Sequence, residues 1–429
     1  MRLDRASEHI TPYDRLAFSD AQAQALLASG EQRQELMALF GDREYGELHH
    51  LARRAVKAGS AARGARVLII PGIMGSQLGF ERPAPLPPDL LWVDPVDIGA
   101  GRLRALRVDA AAPIHAMGVV LFSYLRLRLQ LAASGFDVAC VDYDWRLGID
   151  ALGRQLAQRI DAEPHAQVHL VAHSMGGLVS RAALSLPVRQ KVQQVVLLGV
   201  PNEGSFACVQ AIRGTYPVVR KLARLDARAS AEQLAEEVFN TFPSLYHLLP
   251  TPGRTHPIDL FNADQWPQQG PRPRSELLRA ARESRGCLDH AHAHYSVVAG
   301  TGQATVTGVE REAEDFVYTV TRHGDGTIPT VSARLEGARH YYMACAHGDL
   351  TRDPLVANAI ADILKTGSTR RLVRRWSPRN RATGRISDSA LRLTHTEKVD
   401  LTMLEADARR QFMQTLNEPP PLRLRTPGR

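Results

Sequence analysis

Ser174 stands in the run Gln167-Val168-His169-Leu170-Val171-Ala172-His173-Ser174-Met175-Gly176-Gly177, where a strand-like apolar stretch meets a serine between small residues and a helix-like stretch follows. That is the layout of a nucleophile elbow, with Ala172 in place of the first glycine of G-x-S-x-G. A sharp strand-to-helix turn crowds its backbone, so the positions two residues either side must be small. The turn exposes the hydroxyl and aims the first amides of the next helix at the space above it, where a helix N-terminus favours an oxyanion. A serine so placed needs a base and an acid, on loops after later strands and in the order Ser, Asp, His. Asp325, flanked by Gly324 and Gly326 after an apolar strand at 317 to 320, is the candidate acid. His347, directly after a last strand around 340 to 346, is the candidate base. Glu203 competes for the acid, and His323 and His340 for the base; His323 precedes the last strand and His340 sits at its start, the wrong end for a catalytic edge. The tetrahedral intermediate of acyl transfer also needs two donors. Met175 follows the nucleophile and Ile73 lies in Pro71-Gly72-Ile73-Met74-Gly75-Ser76, the loop after the strand Arg66-Val67-Leu68-Ile69-Ile70, so their amides are the candidate oxyanion hole.

The elements that must hold these residues follow from periodicity and caps. Beyond His347, Asp353 reads as an N-cap with Pro354 at the first helical position, and Val356, Ile360 and Leu364 mark one helical face ending near Gly367. A helix over 119 to 131 and strands over 195 to 200 and 295 to 299 complete an alternating pattern. Ser19 with Gln22 is a capping box that starts a helix stopping at Gly30, and further helical stretches cover 31 to 40 and 45 to 58. Residues 1 to 64 thus form an N-terminal helical extension, 65 to 366 the catalytic body and 367 to 429 a basic C-terminal extension. Residues 79 to 113, with Pro83, Pro85, Pro87, Pro88 and Pro95, look too irregular for a sheet element and are a candidate lid. Residues 203 to 290 read as a helical cap, in which Ser230 and Gln233 make a second capping box and Leu234, Val238 and Phe242 recur at helical spacing. Such a stripe either receives an acyl chain or simply joins the core.

Five motifs standing in order carry a resemblance: Pro71-Gly72-Ile73-Met74-Gly75-Ser76-Gln77-Leu78, Leu91-Trp92-Val93-Asp94, Asp142-Tyr143-Asp144-Trp145-Arg146-Leu147, Ala172-His173-Ser174-Met175-Gly176 and Gly324-Asp325-Gly326-Thr327-Ile328-Pro329. Over about residues 65 to 365 the chain resembles the lecithin:cholesterol acyltransferase and lysosomal phospholipase family. The resemblance implies an α/β-hydrolase fold, in which a mostly parallel central sheet is flanked by helices, a serine acyl-enzyme mechanism and a lipid ester as acyl donor. It puts Ser174, Asp325 and His347 at the triad positions. Trp92 and Trp145, from two of the motifs, are candidate substrate contacts, although Trp92 can equally fill a gap. Secreted members bridge a loop near the Trp92 region with cysteines that this chain lacks, so neither lid geometry nor membrane attachment carries over.

Composition bounds the function further. The chain has 429 residues, 44% of them hydrophobic, and its ten-residue start Met1-Arg2-Leu3-Asp4-Arg5-Ala6-Ser7-Glu8-His9-Ile10 holds no apolar signal core, so a cytoplasmic protein is expected. Cys140, Cys208, Cys287 and Cys345 are far apart, and reduced thiols are expected rather than a disulfide frame. His290, His292 and His294 alternate, but only Asp289 joins them, so no metal site is expected and the chemistry needs no cofactor. The formal net charge is +8, and Arg370, Arg371, Arg374, Arg375, Arg379, Arg381 and Arg385 follow one another with no acidic residue between them. With one aromatic, Trp376, in the run, an anionic membrane surface fits better than nucleic acid, and a solvated linker is the plain alternative. Leu404, Ala408, Phe412 and Leu416 space out a short amphipathic helix before Pro419-Pro420-Pro421. The expected function is therefore a serine lipase, phospholipase or lipid O-acyltransferase. The alternatives are a non-catalytic docking module on the same fold and a lipase effector exported into other cells.

Overall fold

Apolar runs such as Val67-Leu68-Ile69-Ile70 and Leu170-Val171-Ala172 have no polar face to turn to water, and strands of that kind are stable only with both faces covered. In the computed structural model, which describes residues 10–61, 64–110, 113–252, 257–290, 294–377, 383–394 and 397–415, they form the middle of a parallel sheet. The strands run in chain order as β1 (Arg66–Ile70), β2 (Ser76–Phe80), β3 (Asp89–Trp92), β4 (His115–Val119), β5 (Asp137–Cys140) and β6 (Val168–His173). They continue as β7 (Val192–Leu198), β8 (Tyr295–Gly300), β9 (Thr305–Glu312), β10 (Asp315–Thr321), β11 (Arg339–Met343) and β12 (Gly384–Ser387).

The main sheet has the order β11-β8-β7-β6-β1-β5, with every pairing parallel. Alternate side chains of each strand join different cores. Leu68, Ile70, Leu170, Val195 and Leu197 pack against the helices Ile149–Asp161 and Met175–Leu184 and the cap helices. Val67, Ile69, Val171, Val196 and Leu198 pack against the helices Leu121–Ala133 and Pro354–Thr366 and the N-terminal helices. β6 sits inside the sheet, so its carboxyl end opens onto the crevice where open parallel sheets bind ligands.

The cap and stop signals act as their chemistry demands. Ser19 and Gln22 exchange both capping-box hydrogen bonds at the start of the helix Asp20–Ser29, and Gly30 ends it in the left-handed region at φ 83°. Asp353 accepts from the amides of Leu355 and Val356 and Gly367 closes the helix Pro354–Thr366. The N-terminal helices are tied down by Asp20, whose carboxylate accepts from Arg128 Nε at 2.6 Å and from the Cys140 amide at 3.1 Å.

Two expected insertions differ from the expectation. The described residues between 79 and 110 are packed and not an irregular lid: β3 pairs antiparallel with β2, which pairs with β4, and Leu90, Leu91, Ile98, Leu103 and Leu106 are buried. The prolines border β3 instead of interrupting its hydrogen bonds, as a short edge strand tolerates. In the cap, Leu234, Val238 and Phe242 are buried in the core, so the stripe closes on the body and leaves no face for an acyl chain.

The C-terminal segment is woven into the body. β12 pairs antiparallel with β10, and Lys398 donates to the carbonyls of Ala223, Asp226 and Ala229 at 2.6–2.8 Å, neutralising the end of the helix Pro217–Leu225. In the helix Ala406–Gln414 the buried residue is Met413, while Ala408 is exposed and Leu416 lies outside the described residues. Of the stripe spaced by four, Phe412 packs against the core and Leu404 is half-buried, so only part of it meets the protein. The strongest tie is Asp388, which receives Arg213 Nε at 2.7 Å, Tyr318 Oη at 2.7 Å and Thr215 Oγ1 at 3.0 Å with both charged side chains fully buried. Removing one partner leaves the other charge dry and unpaired. Asp388→Ala is expected to cost about 3–5 kcal/mol of stability, while Arg213→Met with Asp388→Leu costs much less; urea midpoints of the three proteins check this.

Candidate active site

The elbow geometry is set by crowding. Ser174 takes φ 54° and ψ −129°, between the end of β6 and the first residue of the helix Met175–Leu184. A non-glycine residue in that region carries strain of about 1–3 kcal/mol, sustained only where the surroundings over-determine it. Here the surroundings are backbone. A Cβ on Gly176 would lie 2.3 Å from the Pro71 carbonyl oxygen, and one on Gly72 would lie 2.7 Å from Ser174 Cβ. The 71–76 loop therefore runs directly against the serine, and only glycines allow it.

Asp325 and His347 meet at this edge. Asp325, 2% exposed, accepts His347 Nδ1 on Oδ2 at 2.8 Å, while Oδ1 accepts the amides of Thr327 and Ile328 at 3.0 and 2.7 Å. Both of its oxygens are thereby engaged and the carboxylate is fixed. The His347 amide donates to the Asp325 carbonyl at 2.9 Å, so the two loops are joined twice. Bound to Asp325 at Nδ1, the His347 ring has Nε2 as its free nitrogen. Ser174, Asp325 and His347 line one cavity of about 280 Å³, together with Ile73, Met74, Tyr124 and Tyr216. Met175 opens its helix, so its amide has no intrahelical acceptor.

The rival acid and bases lie elsewhere. Glu203 lines a different cavity with Arg181 and Asn202, His340 Nε2 accepts from the Leu335 amide at 3.1 Å, and the His323 ring packs edge-on against Trp376. Trp92 and Trp145 correct the expectation of substrate contact. Both are fully buried and absent from the lining of this cavity, and they pack edge-to-face with ring centres 5.4 Å apart. Their indoles donate to the carbonyls of Met74 at 3.1 Å and Ser76 at 3.0 Å. They hold the 71–76 loop, in which Met74 takes φ 60°. Of the alternating histidines, His292 lies outside the described residues, and Asp289 accepts from Tyr295 Oη at 3.1 Å.

Two residues of the site were not found by sequence reasoning. Tyr124 Oη accepts the Gly72 amide at 2.8 Å and contacts His173 Nδ1 at 3.0 Å; His173 Nε2 contacts the His347 carbonyl at 3.2 Å. A carbonyl can only accept, so His173 carries its proton on Nε2 and receives the Tyr124 hydroxyl proton on Nδ1. One continuous chain of hydrogen bonds thus links the 71–76 loop, the elbow and the His347 loop. Burial first, and then the neighbouring His347, hold His173 well below the usual imidazole range, which keeps it neutral. The only signal was a histidine beside the nucleophile; its tyrosine partner is forty-nine positions away.

Parallel sheet, strained elbow after β6 and paired Asp-His loops define an α/β-hydrolase fold. Residues 124–240 match the model of the PGAP1-like alpha/beta domain family, well under half of the chain. No curated protein sequence matches. Among solved structures the chain is similar to that of a Tle4-Tli4 complex at 14% identity, over 70% of this chain and 98% of that one, with a TM-score of 0.47. It is also similar to the mature lipase BlEst2 of Bacillus licheniformis (14% identity, 71% and 93% covered, TM-score 0.37) and to Aspergillus fumigatus lipase B (13%, 84% and 63%, 0.36). Likenesses at this level transfer no residue roles.

The neutral His173 has a consequence for stability. Its folded pKa lies below the unfolded value near 6.5, so the unfolded state binds more protons below that pH and stability is lost as pH falls. The slope approaches about 1.4 kcal/mol per pH unit for one such group. His173→Gln, which cannot charge, is expected to lose less stability than the native protein between pH 7 and pH 5, as read from denaturant midpoints across that range.

Proposed function

We propose that the protein is a serine hydrolase of lipid acyl esters, acting through an acyl-enzyme on Ser174. The observation that carries the reading is the 2.8 Å Asp325–His347 contact opening on the same cavity as a serine held at positive φ. His347 Nε2 takes the Ser174 proton as Oγ attacks the ester carbonyl, and Asp325 keeps the imidazole in the tautomer that can do so and stabilises its cation. The amides of Ile73 and Met175 stabilise the tetrahedral oxyanion. His347 then protonates the leaving alcohol, and a water it deprotonates releases the acid from Ser174. The cavity volume of about 280 Å³ is at the small end for ligand sites. It suits one acyl chain at a time, with the rest of the lipid left at the surface. The motif resemblance to lecithin:cholesterol acyltransferase and lysosomal phospholipase supports a lipid rather than a soluble ester as the natural donor.

A fluorophosphonate probe is expected to label Ser174, with labelling abolished in Ser174→Ala and sharply reduced in His347→Ala; labelling of another serine overturns the assignment. Asp325→Asn keeps the geometry but favours the wrong tautomer, and kcat is expected to fall by about 10⁴; Glu203→Gln leaves it near the native value.

Water is expected to outcompete lipid alcohols, because β3 and the helical turns after it, with Leu90, Leu91, Ile98, Leu103 and Leu106, are packed into the core and not laid over the serine. The ratio of free fatty acid to new ester as a long-chain alcohol is titrated into the bilayer reads this directly. Ester dominating at low alcohol identifies a transferase.

A further inference from the structure

The first half of the arginine run is not a linker. Residues 369 to 376 lie along the outer edge of the main sheet, where Val373 pairs antiparallel with Tyr342 and the Tyr342 amide donates to the Val373 carbonyl at 2.9 Å. That one pairing imposes an alternation: Leu372 turns in and is buried, while Val373 is 60% exposed. The Trp376 ring stacks on Tyr342 with centres 6.4 Å apart and planes 27° from parallel, and meets His323 edge-on at 5.8 Å. The segment is thus held on a folded surface that presents its arginines in one place.

Arg322, Arg371 and Arg375 surround an open cavity of about 570 Å³ floored by Tyr342 and Trp376. Arg370 and Arg374 are exposed beside it. Only Arg371 of these five has a carboxylate partner among the described residues, Asp362 at 2.9 Å; Arg322 donates to the Gly302 carbonyl at 3.3 Å. Val373 and Leu355, 60% and 41% exposed, add aliphatic surface to the same patch. Cations around an aromatic floor, with aliphatic side chains pointing outward, fit an interface that is anionic at its surface and apolar just beneath it.

The patch also has a fixed relation to the serine. Its cavity and the Ser174 cavity draw on neighbouring residues of the same loops: Gly302 and Gln303, His323 and Asp325, Ala344 and Ala346. Both lie at the carboxyl edge of β8 and β11. We propose that Arg322, Arg370, Arg371, Arg374 and Arg375, with Val373, Leu355 and Trp376, dock the protein on an anionic phospholipid bilayer and so bring the Ser174 cavity to the lipid surface. The choice of a bilayer over another polyanion rests on the lipid-ester reading of Ser174; the docking surface itself rests on charge and geometry.

The test separates the two. Binding is measured with full-length Ser174→Ala protein, which cannot consume the lipid, by co-sedimentation with vesicles of phosphatidylcholine containing phosphatidylserine and with vesicles of phosphatidylcholine alone. Binding is expected only to the anionic vesicles, and to weaken as salt rises. Replacing Arg322, Arg370, Arg374 and Arg375 with glutamine leaves the Arg371–Asp362 pair intact and is expected to weaken binding by about fivefold per charge removed. Val373→Asp is expected to weaken binding at high salt as well, which removal of a screened charge does not do. In the Ser174 background the four-arginine variant should keep native turnover of a water-soluble short-chain ester and lose turnover of vesicle lipid in proportion to binding. Equal binding to neutral vesicles, or anionic binding unchanged in the four-arginine variant, overturns the proposal. So does tight binding to duplex DNA or RNA that depends on these arginines when vesicle binding does not. If the native protein binds anionic vesicles through these arginines yet turns over no ester, the docking surface stands and the hydrolase reading falls.

Discussion

Backbone crowding between the end of β1 and the start of the helix after β6 governs the working edge of this molecule. Gly176 lies so close to the Ile70 and Pro71 carbonyls that no side chain fits there, and Gly72 abuts Ser174 itself. Because those segments touch through backbone, the serine cannot relax from φ 54° without pushing β1 away from β6, and that pairing runs in register along the whole of β1. The strain at one residue is therefore held by the central sheet. The loop that carries Ile73 is placed beside Ser174 by the same contact.

Around that contact the polar groups are arranged so that none has to choose between partners. Asp325 spends one oxygen on two amides and the other on His347, so the carboxylate cannot swing. Tyr124 and His173 extend the order to the other side, joining the Gly72 amide to the His347 carbonyl. Trp92 and Trp145 act from behind, with their indoles on loop carbonyls. Four separate stretches of sequence thus converge on one loop of six residues. A small shift in any of them is felt at the serine, since interiors packed at crystal-like density transmit displacement.

What could be read from the sequence was what is encoded locally. Ser19, Ser230, Asp353 and Gly367 act within a few residues of themselves, and their caps are written in the identity of one or two side chains. The parallel core was legible because Val, Leu and Ile run without polar interruption there. Asp325 and His347 could be singled out by loop chemistry after strands, although their contact could not. The antiparallel sheet of β2, β3 and β4 was missed because β3 has four residues bordered by proline and its pairing depends on partners far along the chain. Trp92 and Trp145 misled for a related reason: an aromatic in a motif shows that the position is demanding, not whether a substrate or a carbonyl makes the demand. For the C-terminal arginines a solvated linker stayed open beside an anionic membrane surface, because nothing in their own composition announces that Val373 will pair with Tyr342.

The buried Arg213–Asp388 pair has a consequence for how the chain is made. Its members are separated by 175 positions. At a synthesis rate of about 5–20 residues per second, roughly 9–35 s pass between the appearance of the arginine and that of its carboxylate. Throughout that interval the cap holds an uncompensated guanidinium where the finished protein has a sealed core, and β10 lacks β12. The growing polypeptide can order most of its parallel sheet first, yet the region around Arg213 stays open to water until the segment that carries Asp388 arrives.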